Sequence, residues 1–337
     1  MARSSRRGVL LAVVVAALVG GCTTHTAAPA PDPLQPMLDA AASDAVAASA
    51  AAKAFADNAP TLAVIAAVRR QQATALRTEV DRAAALTAPP SVSSSAAPAP
   101  TDEATVTAAL LAGLATAQKQ AAALVPELPR YRAGMVGSVA AGCASLAEAL
   151  NSTPITTASA TSVGPADSAA AGGAAPTVTA GPTRSAAPVS TQPLDGDTAT
   201  ALQQALSAEH AALWLYGTAS AFVTQPDETE IIAAMGSVQS LRDATEHRLS
   251  AGGATPQPAE PAYLVPEPVT GQSSALAALA VAESDATVAW RSVLEHSGDR
   301  SLRAAALAAL IDSAVRETRW RRLSGQSPAS VAMPGAR

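Results

Sequence analysis

The 337-residue chain is poor in aromatic side chains, lysine and cysteine, and each shortage excludes something. Aromatic residues make up only 2% of it, so any core must be aliphatic, and alanine dominates. Cores of this kind are thin, and their helices must approach closely because each residue buries little area. Lysine occurs only as Lys53 and Lys119, and the formal net charge is −5. No basic face is then available to neutralise phosphates, which argues against nucleic acid as a partner. Long alternating runs of β-branched residues are missing, whereas alanine is the strongest helix former. The expected fold class is all-α. No nucleophile triad, phosphate loop or Cys/His zinc spacing is present.

The N-terminus carries a targeting pattern. Arg3, Arg6 and Arg7 precede an apolar run over 8–19, too short for a transmembrane helix of about 20 residues. Leu18-Val19-Gly20-Gly21-Cys22 follows. This segment resembles a bacterial lipoprotein signal peptide (1–21), with these five residues as its lipobox. The resemblance implies lipidation of Cys22, a mature chain starting there, and an extracytoplasmic, membrane-anchored location. Ser5-Arg6-Arg7-Gly8-Val9-Leu10 also looks like a twin-arginine export signal, with Val9 at the usual aromatic position. Cys143 is then left without an intrachain partner and reads as a small core residue.

Punctuation by Pro and Gly divides the remainder. Residues 22–36 read as a tether. Four alanine-rich helices are expected over 37–150, near 37–57, 61–86, 101–125 and 131–150, with Thr61 and Thr101 as caps. No site is visible among them. Residues 151–194 hold Asp167 and Arg184 as their charges up to Pro193, in Ser, Thr, Ala, Gly and Pro. Such a composition cannot offset the entropy of ordering, and it reads as a flexible linker. Four more helices are expected over 195–324, near 198–222, 228–251, 273–295 and 300–323. Asp227 and Glu230 suit a capping box, and a proline-rich crossover lies over 254–271. Residues 325–337 read as a disordered tail.

The chemistry-bearing residues lie in this last part. Glu209 falls on the apolar stripe of Leu202, Leu206, Leu213 and Tyr216, and Glu283 lies among Leu279 and Trp290. A carboxylate on a buried face is costly without a partner. His247 and Glu317 sit on the second and fourth helices of this set. Four helices with a long second connection resemble the ferritin-like bundles of di-iron carboxylate proteins, where two helices give one Glu each and two give Glu-x-x-His. Here Ala244 stands three residues before His247, and Trp320 three after Glu317. Ala-Glu-His-Ala-Ala-Leu-Trp-Leu-Tyr-Gly (208–217), His247-Arg248, the Ala-Tyr-Leu-Val-Pro crossover and Trp320-Arg321 resemble a ferritin-like domain of unknown function found in actinobacterial proteins. The resemblance covers about 195–323 and implies a ferritin-like bundle at the C-terminus, without an established activity.

Two readings of the site follow. Glu209, Glu283, Glu317 and His247 make an oxygen-rich donor set able to hold one iron, manganese or zinc ion for oxidation, storage or sensing. Alternatively, Arg242, Arg248 and Arg316 pair with the acids as structural ion pairs. The lost ligands and thin core favour the second. The expected protein is a lipid-anchored envelope scaffold or partner-binding module, tied to the membrane through Cys22 and bound to another envelope protein, with no catalytic residues.

Overall fold

In the computed structural model, residues 31–84, 102–152, 192–265, 267–328 and 330–336 are described. The signal segment, Cys22 and most of the linker lie outside them. Eight helices occur among the described residues: α1 (Gln35–Ala54), α2 (Ala59–Ala84), α3 (Glu103–Leu124), α4 (Arg130–Asn151), α5 (Gly196–Ala219), α6 (Asp227–Ala251), α7 (Gln272–His296) and α8 (Arg300–Leu323). The architecture is all-α, as the composition demands.

The caps differ in part from the sequence reading. Asp102, Asp195 and Asp299 cap α3, α5 and α8, each accepting a backbone N–H three residues on. Thr101 lies outside the described residues, and α2 already starts at Ala59. The expected Asp227–Glu230 box does not form, because α6 begins at Asp227 itself, leaving Pro226 at the capping position. Gly253 follows the end of α6 with φ of 85°, a conformation that glycine adopts without strain.

Pairwise contacts fix the directions of α5–α8. Thr198 Oγ1 donates to His296 O (3.1 Å) and Tyr216 Oη to Glu283 Oε1 (2.6 Å), so α5 and α7 are antiparallel. Gln203 Nε2 to Thr255 O (2.7 Å) and Thr245 Oγ1 to Glu209 Oε1 (3.2 Å) set α6 antiparallel to α5. Ser273 Oγ to Ser324 O (3.1 Å) and Arg316 Nε to Glu283 Oε1 (2.7 Å) do the same for α7 and α8. Hence α5 and α8 run one way and α6 and α7 the other, joined by a crossover along the bundle.

The described residues from 33 onward form one compact unit. Its centre is α4, whose 18-residue apolar window has mean hydropathy 1.4 and is 78% buried. Helix α4 packs against α2 and α3 and also against α7 and α8. Small residues permit this: a Cβ on Gly137 would stand 2.4 Å from Leu294 Cδ1. Arg303 of α8 ties the α3–α4 turn to the C-terminal helices, donating to Ser297 O (2.7 Å), Pro126 O (3.3 Å) and Leu128 O.

The chain after α8 departs from the expected loose tail. Gln72 Nε2 donates to Ala332 O (2.9 Å) and Ser138 Oγ to Pro334 O (2.6 Å), anchoring it on α2 and α4. Polar donors on those buried helices need acceptors, and the tail backbone supplies them.

Gly137→Leu is expected to lower stability by about 1–3 kcal/mol, as overpacking does. Gly236→Ala, where nothing lies within 4 Å, is expected to raise it by about 0.5–1 kcal/mol. Urea midpoints of the two variants against wild type check both.

Candidate functional site

The interior of the α5–α8 bundle is acidic. Glu209 on α5, Glu283 on α7 and Glu317 on α8 are 1%, 0% and 2% exposed. The three glutamates expected to point inward therefore do so. His247 does not join them; it is exposed on α6. The inward stripe of α6 steps by seven through Ile231, Val238 and Thr245, with Ala234, Arg248 and Leu249 beside it. His247 falls two residues past that stripe, about 200° around the helix. The places opposite Glu209 go instead to Thr245, which hydrogen-bonds it, and to Arg242, whose charge acts on it. Thr245 was the residue missed, and the heptad step from Ile231 is the signal that finds it.

Each acid is neutralised differently. Glu283 receives Arg316 in a fork, Nε at 2.7 Å and Nη2 at 3.0 Å, and the Tyr216 hydroxyl at 2.6 Å. Arg316 Nη2 also donates to Ser313 Oγ (3.1 Å), and Trp320 Nε1 donates to Tyr216 Oη (2.9 Å). Trp320 thus orients a tyrosine. Burial works against the charge of Arg316, but Glu283 outweighs it and holds the guanidinium protonated. Burial, then the Glu283 charge, push the Tyr216 phenol well above its usual range, so it stays a donor.

Glu209 and Glu317 are settled by a proton. Desolvation pushes Glu209 from 4.5 up to about 8, against the lowering effect of Thr245, Arg242 and Arg316. Its Oε2 is buried without a hydrogen-bond partner. Desolvation likewise pushes Glu317 up to about 7, with Arg321 opposing. The Arg321 guanidinium is 3.8 Å away. Arg248 is engaged elsewhere, with Asp299 at 2.9 Å, and Arg242 with Asp243 at 2.5 Å.

These residues do not fit a metal. Among the described residues, no three His, Cys, Asp or Glu side chains group closely enough to hold one. The strongest carboxylate already carries a guanidinium, and the imidazole faces water. Elsewhere, Cys143 is fully buried, its thiol pushed up to about 11 chiefly by desolvation, with Arg69 Nη1 at 3.1 Å. Such a thiol is unreactive.

The fold and this centre define an all-α protein with a crossover-connected bundle around three buried glutamates, one of them held by an arginine fork. Residues 201–337 match the family described as a domain of unknown function, DUF4439. A crystal structure of a conserved hypothetical protein from Mycobacterium tuberculosis is 34% identical, over 38% of this chain and 98% of that one, with a TM-score of 0.37. No curated protein matches.

Because Glu209 and Glu317 have native values raised above 4.5, the folded chain holds more protons than the unfolded one between about pH 4.5 and 8. Their contribution is full below pH 4.5 and is lost as pH rises through 7 and 8, with a slope of about 1.4 kcal/mol per pH unit per proton. Thermal melting from pH 5 to 9 should show this decline. Glu209→Gln should flatten it and raise the melting temperature at pH 9.

Proposed function

We propose that this is a lipid-anchored, extracytoplasmic protein whose C-terminal bundle is a ferritin-like one with its metal centre replaced by a structural ion pair. It serves as a scaffold or partner-binding module and performs no catalysis. The observation that carries this reading is the Arg316 fork on Glu283, which puts a permanent protein cation beside the carboxylate a metal would need. The antiparallel and parallel pairings of α5–α8, with the crossover after the second helix, support the ferritin-like topology. The lipobox around Cys22 supports the anchor. A buried fork of this kind is structural because removing one partner strands the other, at about 3–5 kcal/mol.

Metal analysis of the purified full chain tests the reading, alongside Glu209→Ala and His247→Ala. All three are expected to carry no stoichiometric iron, manganese or zinc. Stoichiometric metal in wild type that disappears in both variants would overturn it. Arg316→Ala is expected to lose about 3–5 kcal/mol in urea unfolding, and Glu283→Gln in the same background to recover part of it. For the anchor, Cys22→Ala should move the protein from the membrane fraction to the soluble one.

A further inference from the structure

A groove of about 920 Å³ lies on the hairpin of α1 and α2, and among the described residues only these two helices line it. Residues 55–58 join the helices, so they run antiparallel, and the Arg69–Asp44 pair (2.7 Å) sets their register. Helix α1 gives an apolar stripe of Ala42, Ala45, Val46, Ala50 and Ala54, with Val46 50% exposed. Helix α2 gives Arg70 and Arg77, two turns and hence about 10 Å apart on one face. Lys53 stands near the C-terminal end of α1, and Asp81 is the one acid among the described lining residues. Lys53, Arg70 and Arg77 are exposed, and among the described residues none of their side chains makes an ion pair or hydrogen bond. Arg69 and Arg82 on the same helix are both paired, with Asp44 and Glu79.

We infer that this groove binds an anionic long-chain amphiphile, with its headgroup between Arg70 and Arg77 and its alkyl chain along the α1 stripe. Charge selects the headgroup. Three free cations face one acid here, on a chain whose formal net charge is −5, and a guanidinium matches a phosphate or carboxylate through parallel hydrogen bonds. The stripe selects the tail. A purely polar anion would leave Val46 and the alanines wet, and a peptide would lay backbone N–H and C=O groups on side chains that offer them no partner. Length agrees: from Ala42 to Ala54 the stripe runs about 18 Å, and one leaflet of a bilayer whose hydrocarbon core is about 30 Å thick holds chains of about 15 Å. The volume lies within the roughly 300–1,000 Å³ of small-molecule sites, which are mostly apolar with a few placed polar groups. The register gives the polarity an amphiphile needs. Because Arg69 meets Asp44, Arg70 stands level with the Ala42 end of the stripe and Arg77 lies further out. Lys53, at the other end, can lay its methylene stem along the alkyl chain and keep its amine in water. The site is separate from the buried charge centre and from the Cys22 anchor, and stands without either.

Titration calorimetry of the full chain carrying Cys22→Ser with dodecyl phosphate, below its micelle concentration, tests this. Saturable one-to-one binding is expected, with inorganic phosphate and uncharged dodecyl maltoside each at least about tenfold weaker. Arg70→Glu and Arg77→Glu should each weaken dodecyl phosphate at least about tenfold, and Asp81→Asn should tighten it. All three positions are exposed, so helical content and melting should not change. Lys119→Glu, exposed on α3 and outside the groove, should bind as wild type. Competition then separates the sources: displacement by phosphatidylglycerol vesicles marks a membrane lipid, displacement by hexadecanoate alone a free fatty acid, and either result supports the site. No saturable binding, equal binding of inorganic phosphate, indifference to both arginine reversals, or displacement by neither competitor overturns it.

Discussion

A carboxylate with no access to water governs the C-terminal bundle. Glu283 sits at zero exposure, and an ionised group there must be matched by charge and hydrogen bonds or the bundle opens. The match comes from two other helices: Arg316 and Ser313 on α8, and Tyr216 on α5, itself held by Trp320. A guanidinium–carboxylate fork tolerates little sliding, because both N–H···O bonds must align at once. The rotation and height of α5, α7 and α8 are therefore set together. The aliphatic core around them, rich in alanine, could settle in several registers at little cost; the fork selects one.

The neighbouring acids show the other resolution of the same problem. No guanidinium grips Glu209 or Glu317 in a fork, and desolvation raises both, Glu209 to about 8 and Glu317 to about 7. A proton is the weaker remedy, since it can be lost as pH rises, whereas Arg316 keeps its charge. The interior thus divides into a permanently charged part, which fixes geometry, and a titrating part, which makes stability depend on pH. Glu283 is saturated by groups of the chain itself, whereas Glu209 keeps one buried oxygen, Oε2, without a hydrogen-bond partner.

Much of this was legible in the sequence. Proline and glycine punctuation located all eight helices, and α8 agrees at both ends because Asp299 and Gly298 define its start and the chain leaves the helix at Ser324. Glu209 and Glu283 were readable as inward because each lies on an apolar stripe, and Glu317 as the candidate its helix offered. His247 was misplaced because the di-iron spacing drew attention to a histidine. The stripe of α6 is weak: two of its six buried residues, Thr245 and Arg248, are polar. The held tail was not legible at all. It is fixed by its backbone carbonyls meeting Gln72 and Ser138, a contact that composition does not encode.

The same packing decides which surfaces remain for a partner. Helix α4 covers the α7–α8 side, and it can do so because Gly134 and Gly137 remove the Cβ atoms that would collide with Glu295 and Leu294. Arg319 bridges from α8 to Glu148 (3.0 Å) and Glu230 (3.5 Å), and Arg248 reaches Asp299, so the α6–α8 side is closed by ion pairs. The α5–α7 side carries the crossover instead, held on α5 through Gln203–Thr255 and Trp214–Tyr263.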